Sequence, residues 1–505
     1  MNAKSLLTIL GLLLLTLPAT ATTFYVNVSN TVPVAPYTNW PTAATNIQDA
    51  VDVSTDGDLV LVTNGVYAAG GRVLFGLLTN RLVISKAVTV RSANGPTTTF
   101  IRGNPTLGNS AVRCVYLGSG ATLSGLTLTN GGTMNSGDQY LDQSGGGLYA
   151  TNNTVVVSNC FFVRNSAYQF GGGAYNGFIQ NCSVVQNNAY NGGGLASSLA
   201  TNCLVLSNTA TANGGGAHSA TMKNSKLIQN SAVLGGGTYF CSHFGCLMVS
   251  NQGFNLGGAI YNAQSVYSCT IIGNSALQGS GGINSSTFVY DSIIYSNTVS
   301  VGSTPNYSGV SLAYNCCTTP LPSGGGGNIT NNPGFVDFSG GDFHLSQNSP
   351  CINSQDTVAS IAADLDGNPR IVDGFLDIGA YEYQSANLIL PFVIARQYGL
   401  STDGSIDSDG DGMNNWQEAY AGTNPTNAQS VFAITSISNS ISGSVLKWSI
   451  ANGRKYFVQR STNLAEQTTF STIRTNLSVI GGTSTTYTDA TATNGGSYFY
   501  RVGVQ

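Results

Sequence analysis

GGGAHSATMKNSKLIQNSAVL, residues 214–234, is followed at once by GGGTYFCSHFGCLMVSNQGFNL, residues 235–256. The two segments carry a glycine triplet, a short apolar run and an asparagine in the same order. The pattern extends in both directions. GGGLY (145–149), GGGAY (171–175) and GGGLA (192–196) precede it, and the remnants GGAIY (257–261) and SGGIN (280–284) follow. The third positions, 147, 173, 194, 216, 237, 259 and 282, lie 26, 21, 22, 21, 22 and 23 residues apart. A near-constant step of that size marks a solenoid, in which one repeat makes one turn.

A second column keeps the step. Cys160, Cys182, Cys203, Ser225, Cys246, Cys269 and Ser292 open the runs CFFVRN, CSVVQN, CLVLSN, SKLIQN, CLMVSN, CTIIGN and SIIYSN. Each run closes on an asparagine: Asn165, Asn187, Asn208, Asn230, Asn251, Asn274 or Asn297. Short apolar and β-branched runs bounded by Asn and Gly read as strands joined by tight bends. No useful length of the region has helical period. Two or three strands per turn, stacked in parallel about 4.8 Å apart, make a parallel β-helix. On this reading glycine supplies the positive-φ corners. Buried asparagines bond their counterparts in neighbouring turns, and the Cys/Ser column fills a narrow inward position as stacked thiols and hydroxyls.

These residues resemble the right-handed parallel β-helix proteins of the pectin-lyase-like superfamily, and the GGAI and GNSA forms are similar to the repeats of polymorphic outer-membrane proteins. TNIQDAVD (45–52) reads as a short amphipathic helix. With GDLVLVTNGVY (57–67) it resembles the first coil of that superfamily, which implies a helix capping the open solenoid end against edge pairing. NNPGF…GDFHLSQNSPCIN (331–353) and DLDGNPR…DIGAYEYQ (364–384) resemble the terminal segment of exported β-helix proteins of the choice-of-anchor Q type. The likeness spans roughly residues 24–385. It implies a fold and leaves lyase, hydrolase and adhesin open.

Charged residues make up only 8% of the 505 residues, and the net charge is −4. No basic patch follows, which argues against a nucleic-acid partner. Residues 1–21 read as a secretory signal, with Lys4, an apolar run over 6–17 and a small-residue cleavage site ending at Ala21. The mature chain then has no transmembrane segment and is secreted or held at the cell surface. Residues 22–385 form the β-helix with its N-terminal cap and terminal segment. Residues 386–428 read as a helical linker with a metal loop. Residues 429–505 carry six strand-like runs and resemble a small fibronectin type III-like β-sandwich. The expected class is therefore all-β. Nothing in the sequence sets an oligomeric state.

DSDGDGMNNWQE (407–418) fits the twelve-residue, EF-hand-like calcium loop. Asp407, Asp409 and Asp411 stand at positions 1, 3 and 5, Gly412 at 6, the Met413 carbonyl at 7, Asn415 at 9 and Glu418 at 12. Hard oxygens at alternating positions wrap a hard cation, so calcium is the expected cofactor. The following residues, 416–426, resemble single-loop calcium linkers of exported bacterial proteins, some related to thrombospondin type 3 or dockerin loops. Cys316, Cys317 and Cys351 fall outside the cysteine column, and a Cys317–Cys351 disulfide would tie the last coil. Cys114 and Cys241 have no place in the pattern.

Acid–base chemistry needs clustered ionisable groups. Between residues 145 and 300 only Arg164, Lys223, Lys226 and Asp291 carry charge. Asp138 and Asp142, in the insert before the first triplet, read as a solvated loop or as a small polar site with Arg164. His218, His243 and His344 read as structural or surface residues, the last two without evident partners. The slot two residues past each glycine group reads Tyr149, Tyr175, Ala196, His218, Tyr239, Tyr261 and Asn284, and strand alternation turns it outward. Two readings stand. These side chains, above all Tyr149, Tyr175, His218, Tyr239 and Tyr261, stack on sugar rings, or they form a ladder between turns. The expected function is adhesion or carbohydrate binding without catalysis, with a polysaccharide or cell-surface glycan as partner. The alternatives are a polysaccharide lyase or glycoside hydrolase on the same scaffold, and a purely structural surface protein.

Overall fold

In the computed structural model, residues 214–234 form one turn of a right-handed parallel β-helix. The turn holds four short strands, Ala217–His218, Thr221–Lys223, Lys226–Ile228 and Ser231–Leu234. Gly214, Ser219, Asn224 and Gln229 precede or separate them with left-handed φ of 65°, 51°, 42° and 54°. Sequence reading expects two or three strands, because it has no signal for the break at Ser219. The strands pair in parallel with those of the next turn, Ala217 with Thr238, Lys226 with Leu247 and Ser231 with Gln252.

The structure describes residues 21–302, 304–353, 361–372, 374–384, 388–451, 454–464, 470–478, 481–493 and 496–505. The expected signal segment therefore lies outside the described residues, except for Ala21. Two units are distinguished, Met1–Ser183 and Val184–Gln505, and parallel coils build both.

The glycine triplet serves two purposes. Only its first member has positive φ, 65° at both Gly214 and Gly235. At Gly215 an added Cβ would lie 2.5 Å from the Gly236 carbonyl oxygen, and at Gly216 it would lie 2.6 Å from that of Gly237. Backbone passes too close there for any side chain. Corner geometry thus explains one glycine in three, and close approach between turns explains the other two.

Asparagine closes the core. The Asn208 backbone N–H and Nδ2 both donate to Asn230 Oδ1, at 2.9 and 3.0 Å, and Nδ2 also donates to the Val184 carbonyl at 2.8 Å. The pattern repeats from Asn187 to Asn208, Asn230 to Asn251, Asn251 to Asn274 and Asn274 to Asn297. It ends at Asn306, which accepts from the Asn297 N–H at 3.1 Å. In the first unit, Asn165 accepts from the Gly131 N–H and donates to the Leu128 carbonyl. Every one of these amides is buried.

The cysteine column is built the same way. Cys160 N–H donates to Cys182 Sγ at 3.3 Å, Cys246 N–H to Cys269 Sγ at 3.4 Å, and Cys269 N–H to Ser292 Oγ at 3.0 Å. All ten cysteines are buried thiols. Cys316 corrects the sequence reading. Pairing of Ile293 with Cys317 lays Cys316 over Ser292, so it continues the column. Cys241 belongs to a second small-residue position beside the Phe240 corner, where its Sγ accepts from the Ala220 N–H at 3.3 Å. Cys114 precedes the Val115–Leu148 pair and so stands where the next turn has the third glycine.

In the first unit, helix α1 (Ile47–Val53) buries Ile47, Gln48, Ala50 and Val51 and packs on the strands Thr23–Val26, Leu59–Val62 and Thr79–Ile84. Asn46 caps it by accepting from the Gln48 N–H. In the second unit the segment after the last coil lies over the outer face of the coils. A hairpin of Phe335–Asp337 with Asp342–Leu345 brings Phe343 beside Ala380 and Tyr381, against Leu247 and Ile272. Ala380 N–H donates to Thr270 Oγ1 at 2.9 Å. Helices α2 (Phe392–Tyr398) and α3 (Asn415–Ala421) follow, joined by a core of Phe375, Leu390, Ala395 and Ala419. The C-terminal part forms two three-stranded antiparallel sheets around Leu446, Trp448, Tyr456 and Val458.

Replacing Asn230 with alanine strands the Asn208 N–H and amide in the core. It should cost about 2–4 kcal/mol, since each orphaned buried group costs about 1–3 kcal/mol. Gln229→Gly, at a left-handed corner, should be neutral or mildly stabilising. Denaturant midpoints for the two variants check this; equal midpoints would refute the ladder's role.

Candidate functional site

The outward slot forms half-buried columns. In the first unit Tyr116, Tyr149 and Tyr175 stack at 5.5 Å between successive centroids, with planes 12° and 21° apart. In the second unit His218, Tyr239 and Tyr261 stack at 5.2 and 5.5 Å. Burial lowers the His218 pKa to about 4, so the ring is neutral in the column. Tyr116 escapes sequence reading because its turn has no triplet. A further column, Phe244, Tyr267, Tyr290 and Tyr314, stacks at 5.4, 5.0 and 5.2 Å, and Lys223 lies 5.6 Å from the Phe244 ring centroid. Its signal was present as aromatic residues 23, 23 and 24 apart. Within a column the rings turn their faces to one another. A sugar ring therefore meets ring edges and hydroxyls along the column, and ring faces at its ends.

Asp142, which sequence reading weighed as a site residue, has a structural role, and so has Arg113. Asp142 is buried, not solvated: Oδ1 accepts from the Leu77 N–H at 2.6 Å and Oδ2 from the Asp138 N–H at 2.9 Å. Arg113 is sealed beneath Tyr149, its guanidinium bonded to Asn80 Oδ1 and to the Leu141, Ser144 and Gly145 carbonyls. Arg164 occupies a left-handed corner, φ 55°. Asp142 and Arg113 pin the loop of residues 134–144.

Two histidines have partners that the sequence does not show. His243, fully buried, bonds Thr238 Oγ1 at 2.9 Å, and burial lowers its pKa to about 3. His344, half exposed, bridges Asp342 at 2.5 Å and Asp366 at 2.6 Å. Burial works to lower its pKa, but the bonds to Asp366 and Asp342 outweigh that and raise it above the usual value. With both ring nitrogens engaged, His344 clasps the 335–345 hairpin to the 364–368 turn and has no nitrogen left for a substrate.

The DLDGNPR…DIGAYEYQ stretch folds into a buried charged clasp. Arg370 Nη1 lies 3.3 Å from Glu382 Oε2, and Arg370 Nη2 donates to the Asp377 carbonyl. Asp364 accepts from the Asp366, Asn368 and Glu382 N–H groups, and Asp377 from those of Asn353 and Tyr383. Burial raises the pKa of both Glu382 and Asp377, against the pull of the Arg370 guanidinium. Backbone amides bond Asp364 and Asp377, while Arg370 Nε and Nη1 and Glu382 Oε2 make no hydrogen bond. Beside the clasp Cys317 and Cys351 share one buried core as thiols in side-chain contact.

The 407–418 loop differs from that clasp. Carboxylate oxygens of Asp407, Asp409 and Asp411 lie within 4.8 Å of one another. Asp407 accepts from the Gly410 and Gly412 N–H groups, which curls the loop. Asp409 Oδ2, Asp411 Oδ2 and the fully buried Glu418 Oε2 have no hydrogen-bond partner. Burial, with the Asp409 and Asp411 charges, pushes Glu418 up to about 7. Asn415 is buried, and its Oδ1 accepts from the Ser408 N–H at 3.3 Å. Unpaired hard oxygens crowded in this way suit a hard cation. Met413 follows the sharp turn at Gly412, φ 97°.

The family model described as a bacterial TSP3 repeat matches residues 407–428. No curated protein matches the chain. Among solved structures the chain is similar to a pectate lyase at 14% identity and TM-score 0.43, covering 72% of this chain and 97% of that one. It is similar to a rhamnogalacturonan lyase at 12% and 0.30, covering 76% and 100%, and to a PL6 family alginate lyase at 10% and 0.31, covering 68% and 58%.

The His344 clasp has a definite pH sense. Its raised folded pKa makes its contribution complete below the unfolded value of about 6.5. The contribution fades as pH rises through the folded value. NMR titration should place the His344 midpoint above 6.5, with faster amide exchange in the 335–345 hairpin beyond it. A midpoint at or below 6.5 refutes the clasp.

Proposed function

We propose that this is an exported carbohydrate-binding or adhesive β-helix protein whose coils carry no catalysis of their own. The observation that supports the reading most is the fate of the charges. Among the described residues, Arg113, Asp142, Asp364, Arg370 and Asp377 bond backbone, and Arg370 also pairs with Glu382. The outer face shows half-buried tyrosine columns amid neutral amides and hydroxyls. Neutral hydroxyl-rich polymers match such a surface by hydrogen bonding and by contact with ring edges and end faces. Purified protein should be retained on members of a polysaccharide panel without generating unsaturated or reducing ends. New ends would establish lyase or hydrolase action, and no retention on any polymer would favour a purely structural role. Tyr239→Ala with Tyr261→Ala separates the two roles of that column. Lost retention at unchanged melting supports glycan contact, whereas lower melting at unchanged retention supports the ladder.

Within this reading α1 caps the first coil, and the segment around residues 331–384 is of the choice-of-anchor type. The two C-terminal sheets are a fibronectin type III-like spacer or binding module. The loop from Asp407 to Glu418 takes one structural calcium ion, with Asp407, Asp409, Asp411, the Met413 carbonyl, Asn415 and Glu418 as its ligands. Trp416 and Tyr420 of α3 pack on Phe375, and Arg454 donates to the Ala419 carbonyl at 2.8 Å. Calcium therefore steadies the connection between the terminal segment and the C-terminal sheets. Chelation should open residues 400–425 to protease, and Glu418→Gln should weaken calcium binding at least tenfold by titration calorimetry. Unchanged cleavage and unchanged heat would remove calcium from the proposal.

A further inference from the structure

Away from the coils, the C-terminal sheets enclose a cavity of about 290 Å³ lined by Ile437, Asn439, Ser440, Ser444, Tyr498 and Tyr500, among others. We propose that this cavity is a second binding site, specific for a neutral saccharide unit. The inference rests on the carbohydrate reading above, and it adds a contact in the C-terminal sheets to that of the coils.

The aromatic wall is fixed before any ligand arrives. Tyr500 donates its hydroxyl to Asp489 Oδ2 at 2.9 Å. Arg460 Nη1 reaches the same oxygen at 2.8 Å and Thr491 Oγ1 at 2.7 Å. The Arg460 guanidinium carbon lies 4.7 Å from the Tyr498 ring centroid, so the cation braces that ring. Asp489 is buried, at 2% exposure, and takes three side-chain donors: Arg460, Tyr500 and Thr491. Preorganised aromatic walls of this kind bind with little ordering cost.

The ligand class follows from what remains. The nearby charges, Arg460 and Asp489, neutralise each other, which leaves no cation for a uronate and no carboxylate for a basic group. The cavity is lined also by amide and hydroxyl groups. Ser444 donates to Asn439 Oδ1 at 2.9 Å. Ser440 Oγ pairs with Ser442 Oγ at 2.8 Å. Aromatic surface beside neutral hydrogen-bonding groups matches a pyranose, which has a C–H face and a hydroxyl rim. The volume lies near the lower end, roughly 300 Å³, of small-molecule sites.

Affinity electrophoresis of the full chain tests the proposal, in gels containing β-glucan, galactan or xylan and in gels containing polygalacturonate or alginate. Wild type should be retarded by at least one neutral polymer. Tyr498→Ala should lose that retardation at least tenfold, Tyr498→Phe should keep it, and Tyr239→Ala with Tyr261→Ala should retain part of it. Should Tyr498→Ala unfold the sheets by circular dichroism, Asn439→Ala, at the exposed rim, carries the same expectation. Undiminished retardation of these variants overturns the site while leaving the carbohydrate reading intact. Retardation by the acidic polymers alone overturns the neutral class. No retardation of wild type in any gel overturns the carbohydrate reading itself.

Discussion

Backbones that pass within van der Waals contact, turn after turn, leave no room for unsatisfied polar groups between them. The buried asparagine ladder meets that constraint. Each amide receives the N–H and side-chain N–H of one neighbouring asparagine, gives the same bonds to the next, and sends its remaining hydrogen to a strand carbonyl, as Asn230 does between Asn208, Asn251 and Val205. Register follows from the ladder. A slip of one residue would turn the amides outward and strand backbone donors inside. The Cys/Ser column is a second, softer form of the same device.

Fixed register has a consequence for chemistry. Side chains repeat in columns, so any residue type placed outward recurs next to itself about 4.8 Å away. Like charges in such a column repel, whereas aromatic rings and amides attract. The coils accordingly carry stacked Tyr, Phe and His, with Lys223 opening one column over Phe244. Charge collects where the repeat ends, in the Asp364–Arg370–Asp377–Glu382 clasp, the His344 bridge and the 407–418 loop. The His344 bridge engages both ring nitrogens, and in the clasp the Glu382 oxygen that makes no hydrogen bond lies 3.3 Å from the Arg370 guanidinium. In the loop the unpartnered carboxylate oxygens face one another instead.

The triplets, the closing asparagines and the cysteine run were legible because each is repeated; periodicity raises a weak local preference above chance. The outward tyrosine slot was legible from alternation, and the six C-terminal strands from short strand-like runs between turns. Single events were not. The break at Ser219, the burial of Asp142 under the 77–78 backbone and the His344 bridge to Asp366 have no repeat and no local signature. Cys316 was misplaced because an adjacent cysteine hid the column, and Tyr116 because its coil lacks the glycine marker.

By itself the sequence determined that the chain winds into stacked parallel turns, which residues face inward, and that the 407–418 loop has the spacing of a calcium site. Those properties depend on neighbours in sequence or on a fixed period, and both can be read along the chain. Tertiary structure decided which charges are spent, that ring faces are turned to one another, and that Tyr498 and Tyr500 line one cavity with Asn439 and Ser444. These depend on segments brought together from unrelated positions, whose contacts no local pattern encodes.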